Sequence, residues 1–303
     1  MTPLLFDRPL LRAHHQRARV LGPATFLLDR AAADLGERLS VVLRRFDVAV
    51  DLGTPTGAVR DILAASGKVG SIVAAAADVA NAADIANAGP TSLRVAADEE
   101  ALPFADASLD LVVSVLALQF VNDLPGTLIQ IRRALKPDGL FMAALVGGES
   151  LAELRSAFAE AESEIEGGIS PHVLPFADVR ELGALLQRAG FALPVVDSER
   201  LVVRYDSAFT LMHDLRRMGA GNILLERRRM PLKRQTLERM AAIYAERFAD
   251  ADGRLRAGFE MIWLSGWAPH GSQQKPLKPG SAAQRLADAL GTKEISAGEK
   301  PGR

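Results

Sequence analysis

The sequence has no cysteine among its 303 residues. This absence excludes disulfides, thiolate zinc sites, iron–sulfur clusters and cysteine nucleophiles, and it suits a reducing compartment. Aromatic residues are also scarce, at 5% of the chain. Chemistry must therefore come from Asp, Glu, His, Ser, Tyr, Arg or Lys side chains or from a bound cofactor.

The sequence also lacks an excess of either charge and lacks long hydrophobic runs. Lys and Arg number 36 and Asp and Glu 37, so no overall field attracts nucleic acid or anionic lipid. The longest apolar stretches, such as 69–77, are too short to cross a bilayer. The arginine-containing amino terminus is interrupted by Asp7 and Pro9 and shows no cleavage pattern. We therefore expect a cytoplasmic protein with no integral membrane segment and no nucleic-acid partner.

Alternating strand and helix patterns dominate the first half of the chain. The 49% hydrophobic content is enough for a buried core. A short apolar run over 47–53 ends in an acid and a glycine, typical of a buried parallel strand and its turn. The pattern as a whole predicts a doubly wound, mostly parallel α/β sheet, with helices over 9–46 and near 57–65, 79–88 and 124–135, and strands near 69–75, 93–97, 109–115 and 140–146.

The second half of the chain is more helical. Ser150 and Glu153 have capping-box spacing at the start of a predicted helix over 149–167, and residues 137–139 are predicted to form a turn. Further predicted helices cover 179–189, 207–218, 231–249 and 281–290, and further strands cover 191–205 and 259–267. We divide the chain into an N-terminal helical segment (1–46), a core (47–205), a helical elaboration (206–256) and a last strand with the C-terminal tail (257–303).

Acidic residues follow three consecutive predicted strands. Asp51, Asp78 and Asp98 each come at such a strand end, and Glu99 follows Asp98. The carboxyl ends of neighbouring parallel strands share one crevice, where ligands bind in this class of fold. The alternative is that these acids are ordinary polar turn residues. The register of the set favours a nucleoside-binding crevice.

The turn after the first strand selects among nucleotides. It reads Gly53-Thr54-Pro55-Thr56-Gly57, and proline has no N–H to offer a phosphate. Additional acids in the crevice would repel a diphosphate but tolerate a sulfonium and an ammonium group. The crevice therefore favours S-adenosylmethionine over NAD.

Several segments resemble known families. Four segments resemble class I S-adenosylmethionine-dependent methyltransferases, a group that includes the malonyl-carrier-protein methyltransferase of biotin synthesis. They are DLGTPTG (51–57), AADEEALPFADASLDLVVS (96–114), VNDLPGTLIQIRRALKPDGLF (121–141) and GGESLAELR (147–155). More specific segments resemble the family of complex I assembly factors that hydroxylate an arginine on a peripheral-arm subunit: GGISPHVLPF (167–176), RAGF (188–191), DLRRMGAGN (214–222) and GWAPHGSQ (266–273). The second resemblance extends from Phe6 to about Leu290 and implies a bacterial relative.

This resemblance implies a seven-stranded, Rossmann-like methyltransferase sheet with a helical elaboration on the substrate side. It places Asp51, Gly53 and Gly57 at the methionine end of S-adenosylmethionine. It also places Asp78 at the ribose, Asp98 and Glu99 at the adenine, and Val79 and Ser114 among the cofactor-binding residues. Pro55 stands where the family turn usually has its central glycine, and its ring adds bulk on the cofactor side.

Histidines and other polar residues supply candidates for substrate contact. His172 and His270 are the best of these, and Gln119 lies after the fourth strand, where it is either an acceptor contact or a polar helix cap. A two-histidine iron site would need a spacing that the sequence lacks, so we expect no metal and assign no catalytic residue. The Arg227-Arg228-Arg229 run is interpreted as a solvated face, with a docking patch for an acidic protein as the alternative.

Three functions remain open at this point. The first, implied by the resemblance, is modification of a protein side chain by an arginine hydroxylase-like complex I assembly factor, which would reach the inner membrane only through its partner. The second is an S-adenosylmethionine-dependent methyltransferase of a small molecule or carrier protein. The third is a non-catalytic assembly chaperone with a degenerate cofactor loop.

Overall fold

The computed structural model describes residues 4–77, 92–274 and 285–293. The described residues up to Pro269 form one compact unit, and those from His270 onward form a second, small unit. The predicted helix over 79–88, together with Asp78 and Val79, lies outside the described residues. The four-segment division of the chain stays a prediction.

Two helices precede the sheet, as predicted. The first, α1, covers Arg8–Leu21, and its N-cap Asp7 accepts a hydrogen bond from the Leu10 N–H at 3.0 Å. The second, α2, covers Phe26–Ser40. Its apolar stripe is spaced for one helix face and is buried against the sheet, through Leu28, Ala31, Ala32, Leu35 and Leu39.

The sheet has seven strands in the order β3-β2-β1-β4-β5-β7-β6. All described neighbours from β3 to β5 pair in parallel, whereas β7 runs antiparallel to both β5 and β6. This arrangement confirms the predicted doubly wound, mostly parallel fold. The strands are β1 (Phe46–Leu52), β2 (Val69–Ala76), β3 (Ser92–Ala96), β4 (Leu109–Val115), β5 (Leu135–Gly147), β6 (Ala192–Tyr205) and β7 (Leu255–Trp267).

Helices cover both faces of the sheet. One face packs against α2 and α3, and the other against α4 and α6. A third apolar cluster joins α5, α7 and α8 to β6 and β7. The remaining helices are α3 (Ala58–Ala65), α4 (Leu124–Ala134), α5 (Ala152–Ile165), α6 (Val179–Arg188), α7 (Ala208–Arg217), α8 (Arg234–Phe248) and, in the second unit, α9 (Leu286–Ala289).

Two local predictions were wrong. The predicted turn over 137–139 lies inside β5, where the pairing with β4 jumps from Leu109–Leu135 to Leu111–Leu140, and Asp138 has a φ of +64°. The predicted capping box also does not form, because α5 begins only at Ala152. The Ser150 hydroxyl instead donates to the Gly147 carbonyl at 2.7 Å.

None of the helices in the described part of the chain has both the length and the apolar character needed to cross a membrane.

The packing of α2 on the sheet predicts the cost of a cavity at its centre. Leu35 is fully buried, whereas Leu43, in the loop that follows α2, is fully exposed. Leu35→Ala should lower the free energy of unfolding by about 2–5 kcal/mol, because it removes buried methyl groups and leaves a void. Leu43→Ala removes the same atoms from water-exposed positions and should change it by no more than about 0.5 kcal/mol. Urea denaturation of both variants tests this, and equal effects would contradict the packing.

Candidate active site

A cavity of about 480 Å³ lies at the carboxyl ends of β1, β2, β3 and β4. This is the edge of the sheet where the fold class binds ligands, and the volume is in the usual range for small-molecule sites. The loop after β1 and the end of β2 form one side. The α1–α2 region, the loop over 172–176 and the segment after α7 form the other side.

Asp51, the last acid of β1, lines the cavity and forms a buried ion pair. Its Oδ2 accepts a hydrogen bond from Arg60 Nη1 of α3 at 2.9 Å, and the Asp51 side chain is fully buried. Its Oδ1 is also buried and has no hydrogen-bond partner among the described residues. Burial raises the pKa of Asp51 from 3.8 to about 6, although the Arg60 guanidinium and the neighbouring Thr54 hydroxyl act in the opposite direction.

The loop after β1 leaves the cavity open despite its proline. Gly53 has a φ of +72°, so the left-handed residue that this turn requires is a glycine and not Pro55. Thr54 is buried, and its Oγ1 accepts from the Val115 N–H of β4 at 3.3 Å. Pro55 and Gly57 both line the cavity. The bulk of the Pro55 ring does not close the cavity, because the ring forms part of its wall.

The acids after β3 are held by an arginine from the N-terminus. Arg8 Nη2 donates to Asp98 Oδ1 at 2.9 Å and to Glu99 Oε2. Glu99 is buried. It lies directly against Gly53, because a Cβ built on that glycine would be 2.6 Å from Glu99 Oε1. The cavity lining includes Asp51 but not Asp98, Glu99 or Gly53. The predicted contact of these two acids with an adenine stays a prediction.

The polar residues of the β4 end have different surroundings. Ser114 is fully buried, and its hydroxyl donates to the Leu52 carbonyl at 2.7 Å, which ties β4 to β1. It does not line the cavity, whereas Gln119 does. Gln119 Nε2 donates to the Leu116 carbonyl at 2.9 Å, and its Oε1 is buried without a hydrogen-bond partner among the described residues.

His172 is held on the far wall of the cavity by a buried carboxylate. Its Nε2 lies 3.0 Å from Glu162 Oε1, and its ring stacks on Phe158 at 4.0 Å between centroids. Burial acts to raise the pKa of Glu162, but hydrogen bonds from Ser170 and His172 outweigh it and hold that pKa below its ordinary value. Glu162 is therefore a carboxylate at neutral pH, positioned to orient the imidazole.

His270 lies in the second unit, where its Nδ1 is 2.7 Å from the Ser272 hydroxyl. Its predicted contact with substrate stays a prediction. No group of three or more His, Asp or Glu side chains that could hold a metal ion occurs within the described ranges. The site predictions for Asp78 and Val79 lie outside these ranges.

Arg8, Arg60 and Glu162 were not predicted from the sequence as site residues. A signal for the last two existed, because each is a charged residue on the apolar face of a short amphipathic helix. Arg60 lies between the buried Val59 and Leu63 in α3, and Glu162 lies four residues after Phe158 in α5. A charge at such a position requires a buried partner.

The buried carboxylate predicts a pH-dependent stability. The pKa of Asp51 is raised from 3.8 to about 6. Between pH 3.8 and about pH 6, therefore, Asp51 is protonated in the folded protein but not in the unfolded chain. The stability that this proton gives is complete below about pH 4 and is lost as the pH rises through about 6. Relative to Asp51→Asn, the wild type should lose roughly 3 kcal/mol of unfolding free energy between about pH 4 and pH 7.

Chemical denaturation at a series of pH values checks this expectation. Asp252 serves as a control of opposite sign, since the backbone N–H of Arg254 and the Arg204 side chain lower its pKa. The stability that it contributes is present at neutral pH and is lost only in more acidic solution. A wild-type and Asp51→Asn difference that stays constant with pH would contradict the buried carboxylate.

Known proteins resemble this chain at two levels. A methyltransferase-domain family model matches residues 50–143. The mitochondrial arginine hydroxylase NDUFAF5 of Mus musculus is 38% identical over 301 residues, which cover 98% of this chain and 87% of that protein. A malonyl-[acyl-carrier protein] O-methyltransferase of Laribacter hongkongensis is 42% identical over 186 residues, which cover 61% of this chain and 60% of that enzyme.

Solved structures agree on the fold. The YcgJ protein of Bacillus subtilis superposes with a TM-score of 0.55 at 16% sequence identity, covering 80% of this chain and all of that one. The two resemblances predicted from the sequence are thereby confirmed. Because the likeness to NDUFAF5 extends over nearly the whole chain, the protein belongs to the arginine hydroxylase NDUFAF5 family of methyltransferase-fold enzymes.

Proposed function

We propose that this protein binds S-adenosylmethionine in the cavity at the strand ends and hydroxylates an arginine side chain of another protein, a peripheral-arm subunit of respiratory complex I. One observation supports this most directly. The same cavity has a buried carboxylate on its sheet side, Asp51, and a carboxylate-oriented histidine on its other side, His172. Asp51 lies within the methyltransferase-domain match over residues 50–143, whereas His172 lies outside it, in a chain of which 98% aligns with the arginine hydroxylase NDUFAF5 of Mus musculus.

The sheet side of the cavity fits the methionine end of S-adenosylmethionine. The buried Oδ1 of Asp51 lacks a partner among the described residues, and an ammonium group would satisfy it. Arg60 neutralises only the other oxygen, and its guanidinium suits the carboxylate of the same amino-acid group. When bound, S-adenosylmethionine supplies an electrophilic methyl group. Asp51, Thr54 and Gly57 are the residues that we expect to hold it.

The opposite wall fits a guanidinium side chain. Its aromatic rings are suited to stacking with a planar cation, and they come from Phe120, Phe176, Phe259, His15 and His172. Arg217, which also lines the cavity, is engaged by Asp214 at 3.3 Å and by the Gly22 carbonyl. A proton on His172 Nε2, shared with Glu162, leaves Nδ1 as the ring nitrogen that can accept or hold another proton.

Hydroxylation places demands beyond these residues. One oxygen atom is inserted into a C–H bond, so with dioxygen as the oxidant the reaction also consumes two electrons and two protons and releases water. The residues of the cavity position the arginine, shield it from bulk water and hold a proton at His172. The reductant must come from a separate redox partner.

Methyl transfer is the second candidate, and a specific observation favours it. The match to the methyltransferase-domain model covers residues 50–143, and the carrier-protein O-methyltransferase of Laribacter hongkongensis aligns with 61% of the chain. In that reaction the enzyme aligns the acceptor with the sulfonium, and proximity provides most of the acceleration.

Mass spectrometry of a co-expressed acceptor distinguishes the two reactions. The peripheral-arm subunits of complex I should be co-expressed with this protein in air and digested. We expect one arginine peptide to gain the mass of one oxygen atom, drawn from isotopically labelled dioxygen when that is supplied. A gain of one methylene unit would instead support methyl transfer.

Calorimetric titration with S-adenosylmethionine is the companion measurement. We expect saturable binding by the wild type and weaker binding by Asp51→Asn. Absence of any heat at millimolar cofactor, with no modified peptide, would contradict both reactions and favour the non-catalytic chaperone.

Glu162→Gln tests the positioning of His172. Removing the buried negative charge should lower the turnover number by roughly 100-fold, the scale of a lost proton-transfer arrangement, while the Kd for S-adenosylmethionine stays unchanged. Glu164→Gln is the matched control: it lies on the same helix, but its carboxylate is partly exposed and binds Arg239 at 2.6 Å. Equal rates for the two variants, once thermal denaturation has shown both to be folded, would contradict the role assigned to Glu162.

A further inference from the structure

A second cavity, of about 450 Å³, lies beside the first. We call it the basic cleft. His172 and Asn222 line both cavities and therefore form the wall between them. Asn222 is fixed there by its Nδ2, which donates to the Pro171 carbonyl at 2.7 Å. The other residues of the basic cleft are His14, Arg17, Leu21, Arg216, Gly221, Arg227, Arg228, Met230 and Leu232.

The charge of the basic cleft is strongly one-sided. Four arginines line it, and no acidic side chain does so among the described residues. Arg227 and Arg228 each have acidic partners behind the wall, Asp7 at 3.2 Å and Glu166 at 3.3 Å. A chain with a net charge of −1 has no general excess of positive charge to spread over its surface, so this concentration is a local feature.

Two of the arginines are not neutralised within the described residues. Arg17 on α1 and Arg216 on α7 are both exposed and form no ion pair with any described residue. They come from different helices that pack against each other, and their side chains line the same cleft. Nearby positive charge, from Arg17 and Arg227, also acts with burial to lower the pKa of His14. An anionic group entering the cleft would supply the missing partners.

The lining also indicates which kind of anion fits. Leu21 is 54% exposed and Met230 is 73% exposed, and both lie at the cleft together with Leu232. Free phosphate gains nothing from such apolar side chains, whereas a polypeptide presents carboxylates and apolar groups together. Only His172 and Asn222 separate the cleft from the candidate active site. This position suits the stretch of acceptor polypeptide next to the modified arginine.

We propose that the basic cleft binds aspartate or glutamate side chains that flank the modified arginine in the acceptor polypeptide. This proposal rests on the proposed function, since it specifies the sequence surroundings of the arginine that enters the neighbouring cavity. In the bound state Arg17 and Arg216 pair with carboxylates of the acceptor, and His172 separates those carboxylates from the reacting side chain.

Fluorescence anisotropy with short labelled peptides tests the proposal on the full-length protein. One peptide carries an arginine between aspartates, and the other has asparagines in place of those aspartates. We expect the aspartate peptide to bind about tenfold more tightly or better, and Arg17→Gln/Arg216→Gln to abolish that preference. The matched control is Arg45→Gln/Arg200→Gln, which removes the same charge from two exposed arginines outside the cleft and should keep it.

Several results would overturn the proposal: equal affinity of the wild type for the two peptides, equal loss of preference in the control variant, or tighter binding of a phosphoserine peptide or a single-stranded RNA oligonucleotide than of the aspartate peptide.

Failure of the cleft assignment is distinguishable from failure of the proposed function. If Arg17→Gln/Arg216→Gln still modifies the co-expressed acceptor with unchanged peptide affinity, only the cleft assignment fails. If the wild type modifies no acceptor yet prefers aspartate peptides through these arginines, only the proposed chemistry fails.

Discussion

The buried ion pair between Asp51 and Arg60 is the constraint on which the candidate site depends. Each group is the other's charged partner in a nearly water-free position, where only close geometry offsets the loss of hydration. The pair fixes the end of β1 relative to the start of α3, so the intervening loop must turn within a few residues. Gly53 provides the left-handed conformation for that turn. Asp51 is thereby held at the wall of the cavity.

The two walls of the cavity come from parts of the chain with different relationships. The sheet side belongs to the segment that many methyltransferase-fold proteins share, and it offers a charge arrangement suited to an amino-acid group. On the far side, His172 and Glu162 lie outside residues 50–143, in a chain of which 98% aligns with NDUFAF5. The cavity is formed where these two parts of the chain meet.

The fold could be predicted from the sequence because its signals are local. Apolar runs of strand length alternate with helices of one-sided hydrophobicity, and this fixes the sheet class and the place of Asp51. Long-range partners could not be predicted in the same way. Arg8 and Asp98 are 90 residues apart in the sequence, so no local pattern indicates that they form a pair. Residues 137–139 have the composition of a turn, yet they lie inside β5. The strand pairs with β4 both before and after them, and the register between the two strands shifts at this point.

The pairing of the last two strands has a consequence for how this protein could change over evolutionary time. Tyr205 at the end of β6 lies opposite Leu255 at the start of β7, so everything between them is, topologically, the loop of one long hairpin. That loop contains α7 and α8 and contributes Leu215, Arg217, Met218, Ala220 and Asn222 to the cavity. A different insert with equally close ends could be grafted there while the hairpin ladder stayed intact. The lining on that side of the cavity is therefore an exchangeable module.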